Sequence, residues 1–446
     1  MEIQSIGPPN EFLSIDGPAS VRVIDGRLYV LGAEYGPGSS FTVMRGRRII
    51  AKSLSECKIE AVLGPEGKIE TVNGANEVID IWDKALSTIR LRNSTVVVMG
   101  AMDVGKTTVT TILVNKGVKE GLKVGGVIDG DPGGQNDIGP PTTISASIAT
   151  GFITHLTQLR NLRSIFVKTT SIEHVWDYVL NSMTKMVNEL WRNYNVDAVV
   201  INTDGWISEE NAIKFKLELA RRTGANHAVV IKRGDESTDL IKELMKIAVN
   251  VITIPSPPPN ARVRDRDDRK IRREMGYSKY LMPSRELNVN LREKPIVNLP
   301  LFNGLRYDNY ITRLIRRSLN MAIHYIEQWR GGAAVAIGNV KEFQIRNIGG
   351  VNIAILPMNW ERGGLLVALE DRDNYLLSLG VLRKIYYNTG KAVISVPKTF
   401  INEGLVDHIR LGMIRVNDNY EEVEKVLYIN RIESLLSSQN ILESSN

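Results

Sequence analysis

A glycine-rich loop that fits the pattern G-x-x-x-x-G-K-[ST] sets narrow limits on the fold of this chain. It reads Gly100-Ala101-Met102-Asp103-Val104-Gly105-Lys106-Thr107-Thr108. An apolar, β-branched run precedes it and a helix-like stretch follows it, which is the context that a phosphate-binding loop requires. Glycines let the main chain wrap closely around phosphates, and successive N–H groups at a helix N-terminus face the anion. The loop predicts an α/β domain that binds a nucleoside triphosphate; the alternative is a chance glycine turn.

Two side chains of this loop have predicted roles in phosphate chemistry. Lys106 is expected to bridge the β- and γ-phosphates, and Thr107 is expected to offer its hydroxyl to Mg²⁺. The predicted nucleotide-binding residues of the loop are Gly100, Asp103, Val104, Gly105, Lys106, Thr107 and Thr108.

Composition limits the classes of protein to which the chain can belong. Its 446 residues exceed what one core usually supports, so two or three domains are expected. Cys57 is the only cysteine, which excludes an intramolecular disulfide and favours a reducing compartment. No signal-peptide pattern or membrane-length apolar run is found, so we expect a cytoplasmic protein without a membrane partner. The net charge of +6 permits a polyanionic partner without requiring one.

Three regions follow one another along the chain. Residues 1 to 85 contain short β-rich runs, which predict a small all-β domain, and the Asp-Gly pair at residues 25 and 26 predicts a hairpin. Residues 86 to 300 alternate apolar strands with helices, which is typical of a parallel sheet. Residues 301 to 446 begin with a basic helix, predicted at 309 to 329, and continue with strands. The predicted fold class is α/β, with a central P-loop domain between a small N-terminal β domain and a β-rich, mixed α/β C-terminal domain.

Acidic residues follow the second strand of the central region, in the run Asp129-Gly130-Asp131-Pro132-Gly133-Gly134-Gln135. Carboxylates at the end of this strand would face the same crevice as the glycine loop. There, one carboxylate can bind Mg²⁺ and another can accept a proton from an attacking hydroxyl. Asp131 is the preferred base, with Asp129 as its partner or as a metal ligand. An ordinary acidic turn is the alternative, because Asp, Pro and Gly all favour turns.

A third strand of the central region ends in Asn202-Thr203-Asp204-Gly205-Trp206. A tryptophan at a crevice mouth can stack on a nucleobase, a contact that contributes about 1–3 kcal/mol. It can equally fill the core, as most tryptophans do.

An arginine-rich segment follows the proline run at residues 257 to 259. Because arginine forks match phosphate oxygens, such a segment is typical of a lid that clamps a transferring phosphoryl group. Its arginines are Arg262, Arg264, Arg266, Arg269, Arg272 and Arg273. Since Asp265, Asp267 and Asp268 are interleaved with the arginines, a self-paired solvated helix is an equally weighted alternative.

Together these motifs resemble the polynucleotide 5′-hydroxyl kinases, which include archaeal RNA kinases, the kinase subunit of the eukaryotic mRNA cleavage factor and a nucleolar rRNA-processing kinase. The family's loop resembles G-x-x-D-V-G-K-[ST]-T, and its N-T-x-G-W is matched in full at residues 202 to 206. Its D-x-D-x-G-Q is similar to residues 129 to 135, where this chain has one extra glycine. Its lid spacing, R-x4-R-x3-R, fits Arg264, Arg269 and Arg273, so the resemblance implies that these three residues, here called the clamp arginines, clamp the transferring phosphoryl group. The resemblance covers all three regions in layout and is specific in the central one.

The resemblance implies a fold, a reaction and further site residues. The N-terminal region would be a β-sandwich that contributes Glu34, in a turn similar to the family's, to the nucleotide site. The reaction would transfer the γ-phosphoryl group of ATP, or of GTP, with Mg²⁺ to the 5′-hydroxyl of RNA during RNA processing, with DNA open as a second acceptor. The residues it assigns to the nucleic-acid substrate are Trp206, Thr203, Gln135 and Thr170. Protein partners stay open.

Two other functions compete with the kinase. A P-loop switch NTPase is disfavoured, because the nearest candidate for a guanine-reading [NT]-K-x-D motif, at residues 231 to 235, lacks the required residues and spacing. A nucleotide-bound scaffold without catalysis is the other alternative. The presence of Lys106, Asp131 and the lid arginines argues against it.

Overall fold

The computed structural model describes most of the chain as two compact units. The described residues are 2 to 6, 9 to 73, 78 to 133, 137 to 257, 266 to 299, 301 to 302, 309 to 320, 322 to 329, 332 to 338, 340 and 342 to 426. The first unit comprises Met1–Gly139, Ile144–Arg163 and Trp176–Asp265, and the second Pro140–Thr143, Ser164–Val175 and Arg266–Asn446. The three-region division predicted at residues 85 and 300 stays a prediction.

Helices and strands both contribute to the fold, so the chain is α/β as predicted. The helices are α1 (Ile79–Ser87), α2 (Lys106–Lys119), α3 (Trp176–Asn193), α4 (Glu210–Arg222), α5 (Thr238–Leu244), α6 (Arg266–Leu281) and α7 (Asn309–Leu319). The first thirteen strands are β1 (Glu2–Ile6), β2 (Phe12–Asp16), β3 (Ala19–Asp25), β4 (Leu28–Val30), β5 (Ala33–Tyr35), β6 (Ser40–Val43), β7 (Arg48–Ser53), β8 (Cys57–Leu63), β9 (Lys68–Val72), β10 (Ser94–Gly100), β11 (Val124–Gly130), β12 (Thr143–Ala149) and β13 (Arg163–Phe166). The remaining strands are β14 (Ala198–Thr203), β15 (His227–Lys232), β16 (Asn250–Pro255), β17 (Ser284–Asn290), β18 (Ile323–Trp329), β19 (Gly332–Ile337), β20 (Gln344–Ile348), β21 (Val351–Pro357), β22 (Leu365–Glu370), β23 (Leu376–Tyr386), β24 (Lys391–Pro397), β25 (His408–Val416) and β26 (Glu422–Lys425).

Two antiparallel sheets open the first unit, in the orders β1-β8-β3-β6 and β5-β4-β7-β2-β9. Side chains alternate along β3, where Val21 and Val23 are buried and Arg22 is exposed, as in a strand with one face on a core. The hairpin predicted at Asp25-Gly26 is wrong, because β3 belongs to the first of these sheets and β4 to the second. Gly26 instead turns the chain between sheets with a φ of 77°.

A largely parallel sheet forms the centre of the first unit. Its successive pairs join β12, β11, β14, β10, β15 and β16, and only β12 runs antiparallel. All residues of β10 are buried, which agrees with its continuous apolar sequence. Helix α3 buries Val179, Met183 and Met186, which share one helical face. The five predicted strands of this region are confirmed; β12, with alternating Ser and Ile residues, was missed.

The second unit contains two sheets, each packed against a helix. The six-stranded sheet has the order β17-β24-β23-β22-β25-β26, and α6 contributes Tyr277 and Leu281 to its core. The four-stranded sheet has the order β18-β19-β21-β20, and α7 contributes Ile315 and Leu319. The helix predicted across residues 309 to 329 is wrong, since α7 ends at Leu319 and the following β-branched and aromatic residues pair with β19 as β18.

No helix in the described ranges combines the length and the apolar composition that crossing a membrane requires.

Candidate nucleotide-binding site

The glycine-rich loop connects β10 to α2 in a conformation that needs its glycines. Gly100 has a φ of 149° and Gly105 a φ of 101°. A Cβ atom at Gly100 would lie 2.9 Å from the Cγ2 atom of Val104, and one at Gly105 would lie 2.8 Å from the Cη2 atom of Trp82. Both positions therefore require glycine, which is what a cradle of main-chain N–H groups around a phosphate needs.

Trp82, which the sequence reasoning missed, supports this cradle from α1. Its side chain is buried, and its indole N–H donates to the carbonyl oxygen of Pro255 at 2.7 Å. The residue thereby connects the loop to the end of the edge strand β16. In the sequence, the only signal that could have identified Trp82 was its position as an aromatic residue in a short amphipathic helix.

Lys106 is the first residue of α2 and is 8% exposed. Its ammonium donates to the carbonyl oxygen of Ala101 at 2.6 Å, so the side chain folds over its own loop. Burial lowers the pKa of Lys106 to about 8, and the nearby carboxylates of Asp131 and Asp204 partly oppose this shift. The first turn of α2 has no acidic residue of its own, so the helix dipole and Lys106 both contribute positive charge there.

The other side chains of the loop differ in their exposure to solvent. Val104 is buried below the loop, whereas Asp103 is exposed and adopts a left-handed φ of 58°. Thr107 and Thr108 are half-buried in the first turn of the helix. The predicted loop residues are thus adjacent in space, and the threonine hydroxyls lie within the turn that would meet a phosphate.

Asp129 occupies the carboxyl end of β11, in register with Asn202 on β14, which in turn is in register with Val98 on β10. Its Oδ1 accepts from the Asn202 amide at 3.2 Å, and its Oδ2 accepts from the main-chain N–H of Asp137 at 2.6 Å. Burial, together with the carboxylates of Asp137 and Asp131, raises the pKa of Asp129 well above its ordinary value. The acidic run therefore shares an edge of the sheet with the glycine loop, as predicted for this topology.

Asp131 follows at the start of the next turn and is half-buried. Its Oδ1 accepts from the main-chain N–H of Gly133 at 3.1 Å, and its electrostatic effect reaches Lys106. Asp131 is therefore more accessible than Asp129, which fits the different roles predicted for the two carboxylates.

A third acidic residue, Asp137, was missed by the sequence reasoning. Its carboxylate lies 3.1 Å from the guanidinium of Arg47, on the turn before β7, and 3.6 Å from the imidazole of His155. The Arg47 and Asp137 side chains are only 14% and 10% exposed. Since the N–H of Asp137 binds Asp129, Arg47 connects the N-terminal sheets to the acidic run. The two residues are 90 positions apart in the chain.

The Asn202–Trp206 turn is anchored by a buried ion pair between Asp204 and Lys216 of α4. The Asp204 Oδ1 also accepts from the main-chain N–H of Trp206 at 2.7 Å. Thr203 is fully buried and donates to the carbonyl oxygen of Val98 at 2.9 Å, so in this structure its hydroxyl connects two strands. Gly205 packs against the loop, because a Cβ atom there would lie 2.4 Å from the Cγ atom of Met102.

Trp206 is half-buried beside Phe215, with the ring centroids 6.3 Å apart. Its indole nitrogen is buried and has no hydrogen-bond partner among the described residues. Most tryptophan N–H groups in a core find a partner. Trp206 thus combines a partly exposed ring with an indole N–H that is buried and, among the described residues, unpaired, and its role as a stacking residue stays a prediction.

Glu34 lies away from the loop. Its carboxylate accepts from Lys119 at 2.6 Å, and Lys119 is the last residue of α2. The helix has 14 residues, so Lys119 lies about 20 Å along the axis from the first turn. The assignment of Glu34 to the nucleotide stays a prediction, and this placement argues against it. Thr170 belongs to the second unit and is 9% exposed.

Two of the clamp arginines, Arg269 and Arg273, lie on α6 in the second unit. Arg269 is half-buried on this helix. Arg273 forms a two-pronged ion pair with Glu422 of β26, with N–O distances of 2.7 and 2.8 Å, and Tyr277 contacts the same carboxylate at 3.2 Å. Arg264 and Gln135 lie outside the described residues.

The residues at the loop fit a nucleoside triphosphate. The loop conformation excludes Cβ atoms at Gly100 and Gly105, the first turn of α2 carries no acidic residue, and Lys106 is held over the loop. Among the described residues, no three His, Cys, Asp or Glu side chains are grouped as a metal cage. Mg²⁺ in nucleotide sites requires none, because it is held by one or two protein groups together with phosphates and water.

These features define the class of protein: an α/β protein with a P-loop nucleotide-binding site. Residues 100 to 282 match the family model described as mRNA cleavage and polyadenylation factor CLP1 P-loop. The chain is 28% identical to a polyribonucleotide 5′-hydroxyl-kinase of Thermococcus kodakarensis over 76% of this chain and 93% of the relative. It is 25% identical to the enzyme of the same name from Pyrococcus abyssi, over 74% and 89%. The predicted resemblance to the polynucleotide 5′-hydroxyl kinases is confirmed.

Solved structures show the same fold. The Clp1p chain of the wild-type Clp1p–Pcf11p complex superposes with a TM-score of 0.58 at 12% identity, covering 93% of this chain and 98% of that chain. A second structure, of the extended interface between Pcf11p and Clp1p, superposes with the same TM-score and describes the basis for ATP loss in a point mutant.

Proposed function

We propose that this protein is an ATP-dependent polynucleotide 5′-hydroxyl kinase that acts on RNA. The curated relatives that carry this activity in their names support the proposal, as does the match of the P-loop family model. The observation that carries it within this chain is the strand register. That register places Asp129 on β11 beside Asn202 on β14, and β14 is the neighbour of β10, the strand that leads into the glycine loop.

The proposed step is an in-line transfer of one phosphoryl group. The 5′-hydroxyl oxygen of the acceptor forms a bond to the γ-phosphorus, while the bond from that phosphorus to the β–γ bridging oxygen breaks. The products are a 5′-phosphorylated strand and ADP. Asp131 accepts the hydroxyl proton, and Lys106 stabilises the negative charge that spreads over the phosphoryl oxygens.

The triphosphate would be held by the N–H groups of residues 103 to 108 and by the ammonium of Lys106. Thr107, Asp129 and Asp131 are the residues proposed to hold Mg²⁺, directly or through water. When bound, the ion supplies positive charge to the β- and γ-phosphate oxygens. Asn202 and the N–H of Asp137 hold the Asp129 carboxylate in position.

The clamp and the acceptor contacts complete the proposal. Arg264 and Arg269 would contact the transferring phosphoryl group, and Arg273 would join them on release from Glu422. Trp206 would stack on the terminal base, and Gln135 and Thr170 would contact the acceptor strand, whereas the buried Thr203 would position the turn that carries Trp206.

The experiment is incubation with γ-labelled ATP and a 5′-hydroxyl oligoribonucleotide, with label on RNA resolved from free phosphate. Label on the RNA is the expected result. The same oligonucleotide with a 5′-phosphate is the matched control, because it lacks the acceptor hydroxyl and should stay unlabelled.

Other outcomes would contradict the proposal. Free phosphate alone would indicate a switch NTPase, and neither product would indicate a nucleotide-bound scaffold. Parallel reactions with an oligodeoxyribonucleotide and with γ-labelled GTP would determine the acceptor and donor specificity.

A further inference from the structure

Helix α4 carries a lysine among its buried apolar residues. Ala212, Phe215 and Leu219 are buried on one face of this helix, and Lys216 lies on the same face with 0% of its surface exposed. Lysine is almost never fully buried unless its charge has a partner. Because a buried ion pair is often no more stable than apolar residues of similar volume, stability alone does not account for a lysine at this position.

The partner of Lys216 is the buried carboxylate of Asp204, in the turn that follows β14. The Lys216 ammonium donates to the Asp204 Oδ2 at 2.5 Å and to the main-chain oxygen of Asp204 at 3.3 Å. The other carboxylate oxygen, Oδ1, accepts from the main-chain N–H of Trp206 at 2.7 Å. Both oxygens of the Asp204 carboxylate therefore have a donor, one from α4 and one from the turn itself.

This ion pair lies within electrostatic reach of the lysine of the glycine loop. Burial has the largest effect on the pKa of Lys106, which it lowers; the Asp204 carboxylate raises that pKa, and the Lys216 ammonium lowers it. The turn also contacts the loop directly, because Gly205 packs against Met102. The two charges of the pair thus act in opposite directions on Lys106.

An uncompensated carboxylate at Asp204 would compete with a nucleotide for Lys106. In this structure the Lys106 ammonium donates to the carbonyl oxygen of Ala101 at 2.6 Å. If it formed an ion pair with a neighbouring carboxylate instead, that pair would have to break before the ammonium could bind a phosphate. Asp131 already acts on Lys106 with one negative charge, and a second one would weaken phosphate binding further.

We propose that Lys216 is a positioning residue of the nucleotide site, which binds the Asp204 carboxylate and so keeps the Lys106 ammonium available for the triphosphate. This inference rests on the proposed function for the role of Lys106, and it adds a residue that acts from the helix behind the site. Lys216 acts through Asp204 and not by contact with the nucleotide.

The test is the dissociation constant for ATP with excess Mg²⁺, measured by calorimetry near neutral pH on variants of the full chain. Lys216→Met leaves a buried negative charge near Lys106, so the dissociation constant should rise about tenfold. Asp204→Asn leaves the positive charge and keeps an oxygen for the N–H of Trp206, so the constant should stay at or below the wild-type value. The double variant, Lys216→Met with Asp204→Asn, removes both charges and should restore the wild-type value.

A role limited to stability predicts a different pattern. Each single variant leaves one buried charge unpaired, so both should lower the melting temperature. If the pair only held the fold together, the two single variants would change ATP binding in the same direction or not at all. A wild-type dissociation constant in Lys216→Met, or a rise in Asp204→Asn as large as that in Lys216→Met, would overturn the inference. Lys216→Gln, with the same expected direction, replaces Lys216→Met if that variant fails to fold.

The matched control is Lys214→Met, the same substitution two residues earlier on α4. Lys214 pairs with Glu210 at the surface, where the two side chains are 59% and 83% exposed, so its loss should leave the dissociation constant unchanged. The measurement follows ATP binding and needs no acceptor strand. A wild-type protein that binds ATP and transfers no label to RNA would contradict the proposed kinase and leave the test of Lys216 intact, so the two failures are distinguishable.

Discussion

The guanidinium of Arg47 lies 3.1 Å from the carboxylate of Asp137, and this pair connects the N-terminal sheets to the acidic run of the nucleotide site. The N–H of Asp137 in turn donates to Asp129 at 2.6 Å. We expect Arg47→Met to lower kcat about tenfold, because Asp137 loses its anchor and the Asp129 carboxylate loses its position. The affinity for ATP, measured by calorimetry, should change little, since the glycine loop is untouched.

The control for this prediction is Arg45→Gln on the same turn. Arg45 pairs with Glu66 at the surface, where the two side chains are 74% and 59% exposed, and such pairs contribute little. Equal kcat values for Arg45→Gln and Arg47→Met would show that the Arg47–Asp137 pair has no positioning role.

The two carboxylates of the acidic run should differ in kinetics. Asp131→Asn removes the proposed base, so kcat should fall about 100-fold or more while ATP affinity stays near normal. Asp129→Asn should weaken the binding of Mg²⁺, so that a higher Mg²⁺ concentration is needed for the half-maximal rate. If Asp129→Asn gives the larger loss of kcat at saturating Mg²⁺, the two roles are reversed.

Nucleotide binding should depend on the charge of Lys106. Burial lowers the pKa of Lys106 to about 8, so the ammonium is lost as the pH rises through that value. The phosphates bind the charged form, so the dissociation constant for ATP should be flat below about pH 8 and rise about tenfold per pH unit above it. In the Lys106→Met variant the pH profile should be flat and the affinity low; a wild-type profile in that variant would assign the titration to another group.

Arg269 and Arg273 lie one turn apart on α6 but have different surroundings. Lysine lacks the guanidinium fork, so Arg269→Lys and Arg273→Lys should both lower kcat substantially if both residues clamp the phosphoryl group. Arg273→Lys should in addition lower the melting temperature, because Glu422 loses a two-pronged partner in a site where both side chains are nearly buried.

Glu422→Gln separates the two effects at Arg273. It weakens the same ion pair while keeping the arginine, so it should lower the melting temperature and leave kcat near the wild-type value. A kcat as low as that of Arg273→Lys would indicate that Arg273 acts only by holding α6 against β26.

Trp206→Ala should raise the KM for the oligonucleotide with little effect on the KM for ATP, because stacking is a contact with the acceptor that tolerates any base. Trp206→Phe, which keeps a ring, should recover most of the loss. An unchanged KM combined with a lower melting temperature would identify Trp206 as a core residue beside Phe215.

Local sequence was sufficient to predict the glycine loop and the strands of the central sheet. Gly100 and Gly105 occupy backbone conformations that other residues rarely adopt, so their spacing predicts the loop directly. The strands of the central sheet are continuous apolar runs. Because the carboxyl ends of parallel strands lie at one edge of a sheet, the sequence predicts that Asp129 and Asn202 lie at the same edge as Lys106. The helix predicted across residues 309 to 329 was too long because it, too, was predicted from local sequence. The apolar period of residues 309 to 319 continues into a segment that pairs as β18.

Local motifs were enough to predict a P-loop site and to name its candidate residues in the glycine loop and the acidic run, since each motif depends on neighbours a few positions away. Which charges pair with each other is set by the folding of distant segments. Arg47 and Asp137 are 90 positions apart, and Arg273 and Glu422 are 149 apart. Such pairs form because folding brings distant segments together and buried charges require partners, and no periodicity in the chain encodes which partner is chosen.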